Sequence, residues 1–517
     1  MTTLFLAFFR SGRRPTNRLA WGVMHYATQP GTTPRRKAAP FRATAACVMV
    51  VFLGANLGVW AASPEYAVVV SHDTLGQSGW KAVVEALVTK YQATVISYGT
   101  SVQNSLPELR RQFPRCACFV ARPEEVSREF VSQVHRLTRQ FDDDPYTDCF
   151  WGILTGYDAT NALWIASQQA PLTVQKVASG TELAMDCIEE GVWYCELNQN
   201  KMVQKERNQK ARILRGPDDT TQALAEALNQ GQPDLFVASG HATERDWMIG
   251  FRYRNGFFKC ENGRLFGLDT QGQRWPIDSP NPKVYLPVGN CLMGHITGRD
   301  CMALAWMRSA GVCQMAGYTV PTWYGYMGWG LLDYFVEEPG RYTLAEAFIA
   351  NQHALMHRLV TFFPELARAE ADPNRSSSTP IQVGARAKAA GLNANDGRGL
   401  LYDRDVVAFY GDPAWQARMA VQPRAFDQTL TETNGLFTFE IKPNRGAQSF
   451  DPVNRNGSQR GGRPFIAYLP HRIGTAQVRE GLALEPVITD DFVLVPNPGQ
   501  CDPAKTYRVV FAARAVQ

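Results

Sequence analysis

Two short apolar runs, each stopped by a chemically reactive residue, constrain this chain more than anything else in it. Residues 233–241 pass through Leu235, Phe236, Val237 and Ala238 to Ser239, Gly240 and His241; residues 283–291 pass through Val284, Tyr285 and Leu286 to Gly289, Asn290 and Cys291. Runs this short and this apolar suit strands buried on both faces of a parallel sheet. Reactive groups in open parallel sheets collect in the crevice beyond the carboxyl ends of the strands, so His241 and Cys291 are expected to meet there. A thiol near its ordinary pKa of about 8.5 is mostly protonated at neutral pH, and a neighbouring imidazole raises the reactive fraction and later protonates a leaving amine. The pair reads as nucleophile and general base, with Gly240 and Gly289 allowing sharp turns and close approach to a substrate.

The surrounding pattern is α/β. Strand-like runs at 66–71, 93–98, 117–121 and 150–154 alternate with helical stretches at 79–91, 106–113 and 127–141, which gives a mainly parallel sheet. A helix at 218–228 leads into the His241 run. Between the two reactive residues, 248–259 and 264–268 with Asn255-Gly256 and Asn262-Gly263 have the alternation and turn residues of hairpins. Residues 179–215 are polar and lysine-rich and read as an exposed surface helix, with a processing loop as the alternative. Beyond Arg424, alternating runs at 436–441, 464–469, 491–495 and 507–512 imply a small β-sandwich.

At this point the residues resemble the gingipain-type cysteine peptidases, as a divergent bacterial member. Besides the His and Cys runs, the resemblance is carried by residues 291–294, 301–311 and 312–320 after the cysteine, by 147–158 upstream, and by Tyr410-Gly411-Asp412-Pro413. It implies a caspase-like fold, a mainly parallel sheet flanked by helices, followed by an immunoglobulin-like β-sandwich. The divisions are a signal peptide with a basic extension at 1–61, an N-terminal α/β subdomain at 64–175, a catalytic subdomain at 176–423 and the sandwich at 424–517. The implied activity is that of an endopeptidase working through a Cys291 thioester, with His241 as base and then acid and the backbone amides of Ala242 and Cys291 as oxyanion donors.

Two departures stand out. The family's histidine is usually followed by glycine, where this chain has Ala242; an alanine amide serves equally only if no positive φ is required. The Gly-Arg expected after Asp158 is also absent. Asp158 falls where the resembling stretch carries an acid near the primary pocket of arginine-cleaving members, and the ordinary alternative is that it caps a helix at 159–167. Trp323 lies where the family lines that pocket, with rim packing as its alternative. The resemblance permits structural calcium in loops such as Asp142-Asp143-Asp144, although three adjacent carboxylates alone read as a solvated turn, since calcium takes about six to eight oxygens. No cofactor is required.

Charge and cysteine usage narrow the class further. The net charge is +5, yet Arg10, Arg13, Arg14, Arg18, Arg35, Arg36, Lys37 and Arg42 precede every acidic residue, so the remainder carries about −3 and a nucleic-acid partner is not indicated. These charges lead into an apolar stretch at 43–60 and small residues at 61–63, the pattern of a secretory signal. The alternative is an uncleaved anchor, the one expected route to a membrane. The expected location is extracytoplasmic and the expected partner a protein or peptide substrate. Eleven cysteines show no metal-ligand spacing, and Cys187 with Cys195 is the one candidate bridge considered. Two other readings compete: a catalytically inactive peptidase-like binding or adhesion protein, and a metal-dependent hydrolase using His241, His295 and cysteines, with His295 also the rival general base.

Overall fold

The computed structural model describes residues 66–370 and 380–516; the expected signal segment and nearly all of the loop at 373–380 lie outside them. Among the described residues twelve strands share one sheet. In chain order they are β1 (Tyr66–Ser71), β2 (Thr94–Tyr98), β3 (Cys116–Val120), β4 (Phe150–Leu154), β5 (Lys176–Ser179), β6 (Glu190–Tyr194), β7 (Lys201–Lys205), β8 (Arg212–Arg215), β9 (Leu235–Ala238), β10 (Lys283–Pro287), β11 (Val312–Tyr318) and β12 (Val407–Tyr410). Side by side they run 2-1-3-4-12-11-10-9-5-6-7-8.

That order contains one winding twice. Strands β1 to β4 are parallel in the order 2-1-3-4, with β12 added parallel to β4. Strands β5, β6, β9 and β10 repeat the same relative order, with β11 added parallel to β10. The two added strands meet antiparallel, Met315 opposite Tyr410 and Tyr318 opposite Val407. The halves therefore run in opposite directions, and the carboxyl ends of β9 and β10 lie at the opposite edge of the sheet from those of β3 and β4.

Burial on both faces accounts for the apolar runs: every residue of β1, β3, β9, β10 and β11 is buried. The exception in kind is Lys283, wholly buried at the start of β10. Its Nζ donates to the carbonyls of Ser279 (2.6 Å), Asn281 (2.8 Å) and Ala310, so the ammonium is satisfied and ties together the segments that enter β10 and β11. The helix expected within 179–215 is absent. That segment continues the sheet as the antiparallel strands β7 and β8, with Trp193 opposite the buried Val203. Of the five residues of β7 only Val203 is buried, so its composition reads as surface and gives no alternation to identify a strand.

The residues from Phe426 onward form two antiparallel sheets. One has the spatial order Phe426–Thr433, Leu436–Pro443, Tyr507–Ala512, Gln477–Glu480; the other Phe465–Tyr468, Phe492–Val495, Val487–Ile488. Phe437, Phe439, Phe465, Val493, Val509 and Phe511 fill the space between them. Lettered in chain order the sheets read A-B-G-D and C-F-E, whereas the constant-type immunoglobulin order is A-B-E-D and C-F-G. The sandwich expectation holds, but strands E and G have exchanged places. Phe437 lies opposite Phe511 and stacks on it at 5.0 Å, an aromatic cross-strand pair that holds G against B. The outer face of the second sheet packs on the main core, where Phe492 stacks on His353 of the helix Leu344–Phe362 at 4.1 Å and meets Tyr146 edge-on at 5.2 Å. Among the described residues no helix is long and apolar enough to cross a membrane.

Candidate active site

Ala238 of β9 pairs with Pro287 of β10 in parallel register, so the chain delivers His241 and Cys291 from neighbouring strand ends at one edge of the sheet. The two loops are fastened to each other. Asn290 Nδ2 donates to the Gly240 carbonyl at 3.0 Å, and Thr322 Oγ1 donates to the Asn290 carbonyl at 3.1 Å. Glycine is needed on both sides. A Cβ on Gly289 would stand 2.6 Å from Ser239 Oγ and 3.0 Å from the Trp329 ring, and Gly240 has φ +115°.

The Cys291 thiol is half-buried, and its hydrogen-bond partners are both on Thr322. The Thr322 N–H donates to Sγ at 3.2 Å, and Sγ lies 3.8 Å from the Thr322 carbonyl oxygen. Leu292, the next residue, is held at φ +58°, a left-handed backbone that leucine adopts only where its surroundings impose it. His241 is exposed, and its ring lies 4.7 Å from that of Phe251, inclined by 31°. Phe251 is in turn anchored by its N–H on the Glu196 carbonyl at 2.6 Å.

Ala242 forms an isolated antiparallel bridge with Trp247, flanked by hydrogen bonds from Met248 N–H to the His241 carbonyl and from Thr243 N–H to the Asp246 carbonyl. In a pair flanked in this way the middle residue's own N–H points away from its partner, so the Ala242 amide is not consumed by the hairpin. Ala242 is not among the positive-φ residues; that conformation falls on Gly240. Alanine after the histidine thus introduces no strain.

Trp323 follows Thr322 directly, is 49% exposed, and lies 5.7 Å from both Tyr324 and Tyr402, ring to ring. It stands on the cysteine-bearing rim. Asp158 does not. It follows β4, whose carboxyl end is at the opposite edge, and its Oδ1 accepts from Asn161 N–H at 2.9 Å as the cap of the helix Ala159–Ala166. That is the capping role the sequence left as its alternative, and the antiparallel pairing of β11 with β12 points β4 and β10 in opposite directions. His295 addresses Arg128, whose guanidinium is 3.4 Å from its Nδ1; burial first and Arg128 second hold its pKa down. Residues 291–294 form a turn rather than a helix, so helical spacing does not bring His295 to the sulfur.

Asp142 and Asp144 meet Asp490, their carboxylate oxygens within 4.8 Å of one another, where the sandwich abuts the N-terminal half. Burial raises Asp144 to about 6. The sequence run offered only the first two of these, because Asp490 comes from a distant hairpin. Cys187 and Cys195 are both free thiols. Asn290, Thr322 and Phe251 were not assigned roles from the sequence; Asn290 was visible as the neighbour of Cys291, but nothing local shows that its amide reaches Gly240.

No family model matches the chain, and no curated protein matches it. One solved structure that does is described as "Structure of Protease"; it is 10% identical, the match covers 88% of this chain and 97% of that one, and the TM-score is 0.37.

Proposed function

We propose that this protein is an extracytoplasmic cysteine endopeptidase related to the gingipain type, with Cys291 as nucleophile and His241 as base and then acid. The observation that carries this reading is the delivery of a thiol and an imidazole from adjacent parallel strand ends whose loops are joined by the Asn290–Gly240 hydrogen bond. In the reaction, His241 takes the thiol proton as Sγ bonds to the scissile carbonyl carbon. The tetrahedral oxyanion is met by backbone amides, for which Ala242 and Cys291 are the candidates. Collapse breaks the C–N bond, and the imidazolium gives its proton to the leaving amine. Water then adds to the thioester with His241 again as base, releasing the acid and restoring the thiol. Trp323 serves as a rim contact for substrate.

The second reading, an inactive binding protein, is favoured by one observation: the thiol bonds to Thr322, and the His241 ring lies tilted against Phe251 instead of bonding to sulfur. Catalytic hydrogen bonds often tighten only with substrate in place, so the separation does not disqualify the dyad. Iodoacetamide labelling decides between the two. Preferential alkylation of Cys291 that disappears in His241→Ala, with peptide-library cleavage abolished in Cys291→Ala, supports the peptidase; slow, uniform alkylation without cleavage supports the binding protein.

A further inference from the structure

Between the sandwich strands Leu436–Pro443 and Phe465–Tyr468 the chain makes an excursion to the edge of the main sheet that carries His241 and Cys291. Its anchor is a buried ion cluster. Arg460 Nε donates to Asp333 Oδ1 at 2.7 Å, Arg463 Nε to Asp333 Oδ2 at 2.8 Å, and Gly461 N–H to the same oxygen at 3.2 Å, while Arg460 also reaches Glu337. A carboxylate held by two guanidiniums and a backbone amide in the interior fixes geometry strongly, whatever its net contribution to stability.

Ahead of the anchor the same segment touches both walls of the dyad's crevice. On the histidine side, Asn454 Nδ2 donates to the Glu182 carbonyl (3.2 Å), and Asn456 Nδ2 donates to Thr181 Oγ1 (3.0 Å) and Glu196 Oε1 (3.1 Å). Glu196 is the residue whose carbonyl holds Phe251 against His241. On the cysteine side, Ser458 Oγ donates to the Tyr324 carbonyl at 2.9 Å. Gly457 packs against Trp329, where a Cβ would come within 2.3 Å of the indole, and the same indole packs against Gly289, where a Cβ would stand 3.0 Å from it. Two short routes therefore lead from one segment, through Glu196 and Phe251 to His241, and through Trp329 and Gly289 to Cys291.

We propose that residues 454–463 form a strap that sets the placement of His241 relative to Cys291, with Asn456 and Ser458 as positioning residues and Asp333 as the anchor; this rests on the cysteine-peptidase reading. The C-terminal sandwich is then a working part of the site. Breaking the anchor would strand buried charge and risk the fold, so the test uses the two positioning residues in the full chain.

In Asn456→Ala/Ser458→Ala, the melting temperature should fall by several degrees with the fold retained, because three part-buried hydrogen bonds are lost while Thr181 Oγ1 still donates to Glu196 Oε1 at 2.6 Å. On a peptide selected from the library, kcat should fall about tenfold or more with KM held, the signature of a misplaced reacting group. The pH profile of Cys291 alkylation by iodoacetamide, read well below the melting temperature, should shift toward that of an ordinary thiol. An alkylation profile and kcat equal to wild type overturn the strap. So does a loss of turnover that merely follows the folded fraction while the alkylation profile stays put, since that is a purely structural role. Should wild-type Cys291 itself show neither enhanced alkylation nor turnover, the dyad reading fails and takes the strap with it, an outcome visible before any variant is made.

Discussion

The Asn290 side chain and the Gly240 backbone are joined by a hydrogen bond of 3.0 Å, so the residue before the cysteine holds the residue before the histidine. Each reactive side chain is thereby positioned by the other's loop. In Asn290→Ala the Gly240 carbonyl loses its donor in a buried setting and the two loops are released. Turnover should drop by about ten- to a hundredfold, with alkylation of Cys291 losing its dependence on His241. Retention of wild-type kcat in a folded Asn290→Ala protein would show that the tie does not organise the dyad.

Gly289→Ala probes the same contact sterically. The added methyl would stand 2.6 Å from Ser239 Oγ, which can rotate away, and 3.0 Å from an indole carbon of Trp329, which cannot without disturbing its packing on Gly457. The expected result is a loss of activity larger than the loss of stability, the latter about 1–3 kcal/mol as for other overpacked sites. Kinetics beside chemical denaturation would check this, and a fully active variant would mean that the crevice is looser than the Cβ distances imply.

Asp158 should be silent in catalysis. Asp158→Asn retains a capping oxygen and should keep both the melting temperature and the rates on arginyl and non-arginyl peptides, whereas Asp158→Ala should cost about 1 kcal/mol through loss of the cap. A selective fall on arginyl substrates in the folded Asn variant would place Asp158 against substrate and contradict the edge assignment.

His353 contributes one pH dependence that a substitution isolates. It is fully buried between the rings of Phe492, Tyr146 and Tyr468, neither ring nitrogen has a hydrogen-bond partner among the described residues, and burial pushes its pKa down to about 3. In the unfolded chain the value is about 6.5, so between these limits the unfolded state takes up a proton that the folded state refuses. The contribution is whole above about pH 6.5 and is lost as pH falls toward 3. His353→Phe keeps the stack and removes the titration, so relative to wild type it should gain about 2 kcal/mol more at pH 5 than at pH 8. Melting curves of both proteins at the two pH values test this; an equal gain at both would mean that His353 does not set the slope.

Much of the architecture was legible in the sequence because it is written locally. Apolar runs of strand length gave β1, β3, β4, β9 and β10, and the order of His241 and Cys291 along them gave the shared edge. Asn262-Gly263, both at positive φ, makes the turn its dipeptide announces. What stayed hidden depends on partners far away in the chain. Nothing near Asp158 reveals that β4 and β10 point in opposite directions, because that is decided by the antiparallel pairing of β11 with β12. With a single buried residue, β7 has no alternation to read, the exchange of strands E and G turns on a pair as distant as Phe437 and Phe511, and Asn456 offers no local sign that it will reach Thr181 and Glu196.

The antiparallel seam also orders events in time. A chain leaving the ribosome completes β1 to β4 and later β9 to β11, yet neither block of strands can be joined to the other until Val407–Tyr410 has been made, because β12 alone bridges β4 and β11. Through the whole synthesis of the helix Leu344–Phe362, the nascent molecule carries two sheet edges that the finished fold closes, β4 on one block and β11 on the other, and open edges recruit other strands. The piece that finally unites the crevice-bearing block with the rest is a four-residue strand, and a message truncated just before it would yield two unjoined half-sheets.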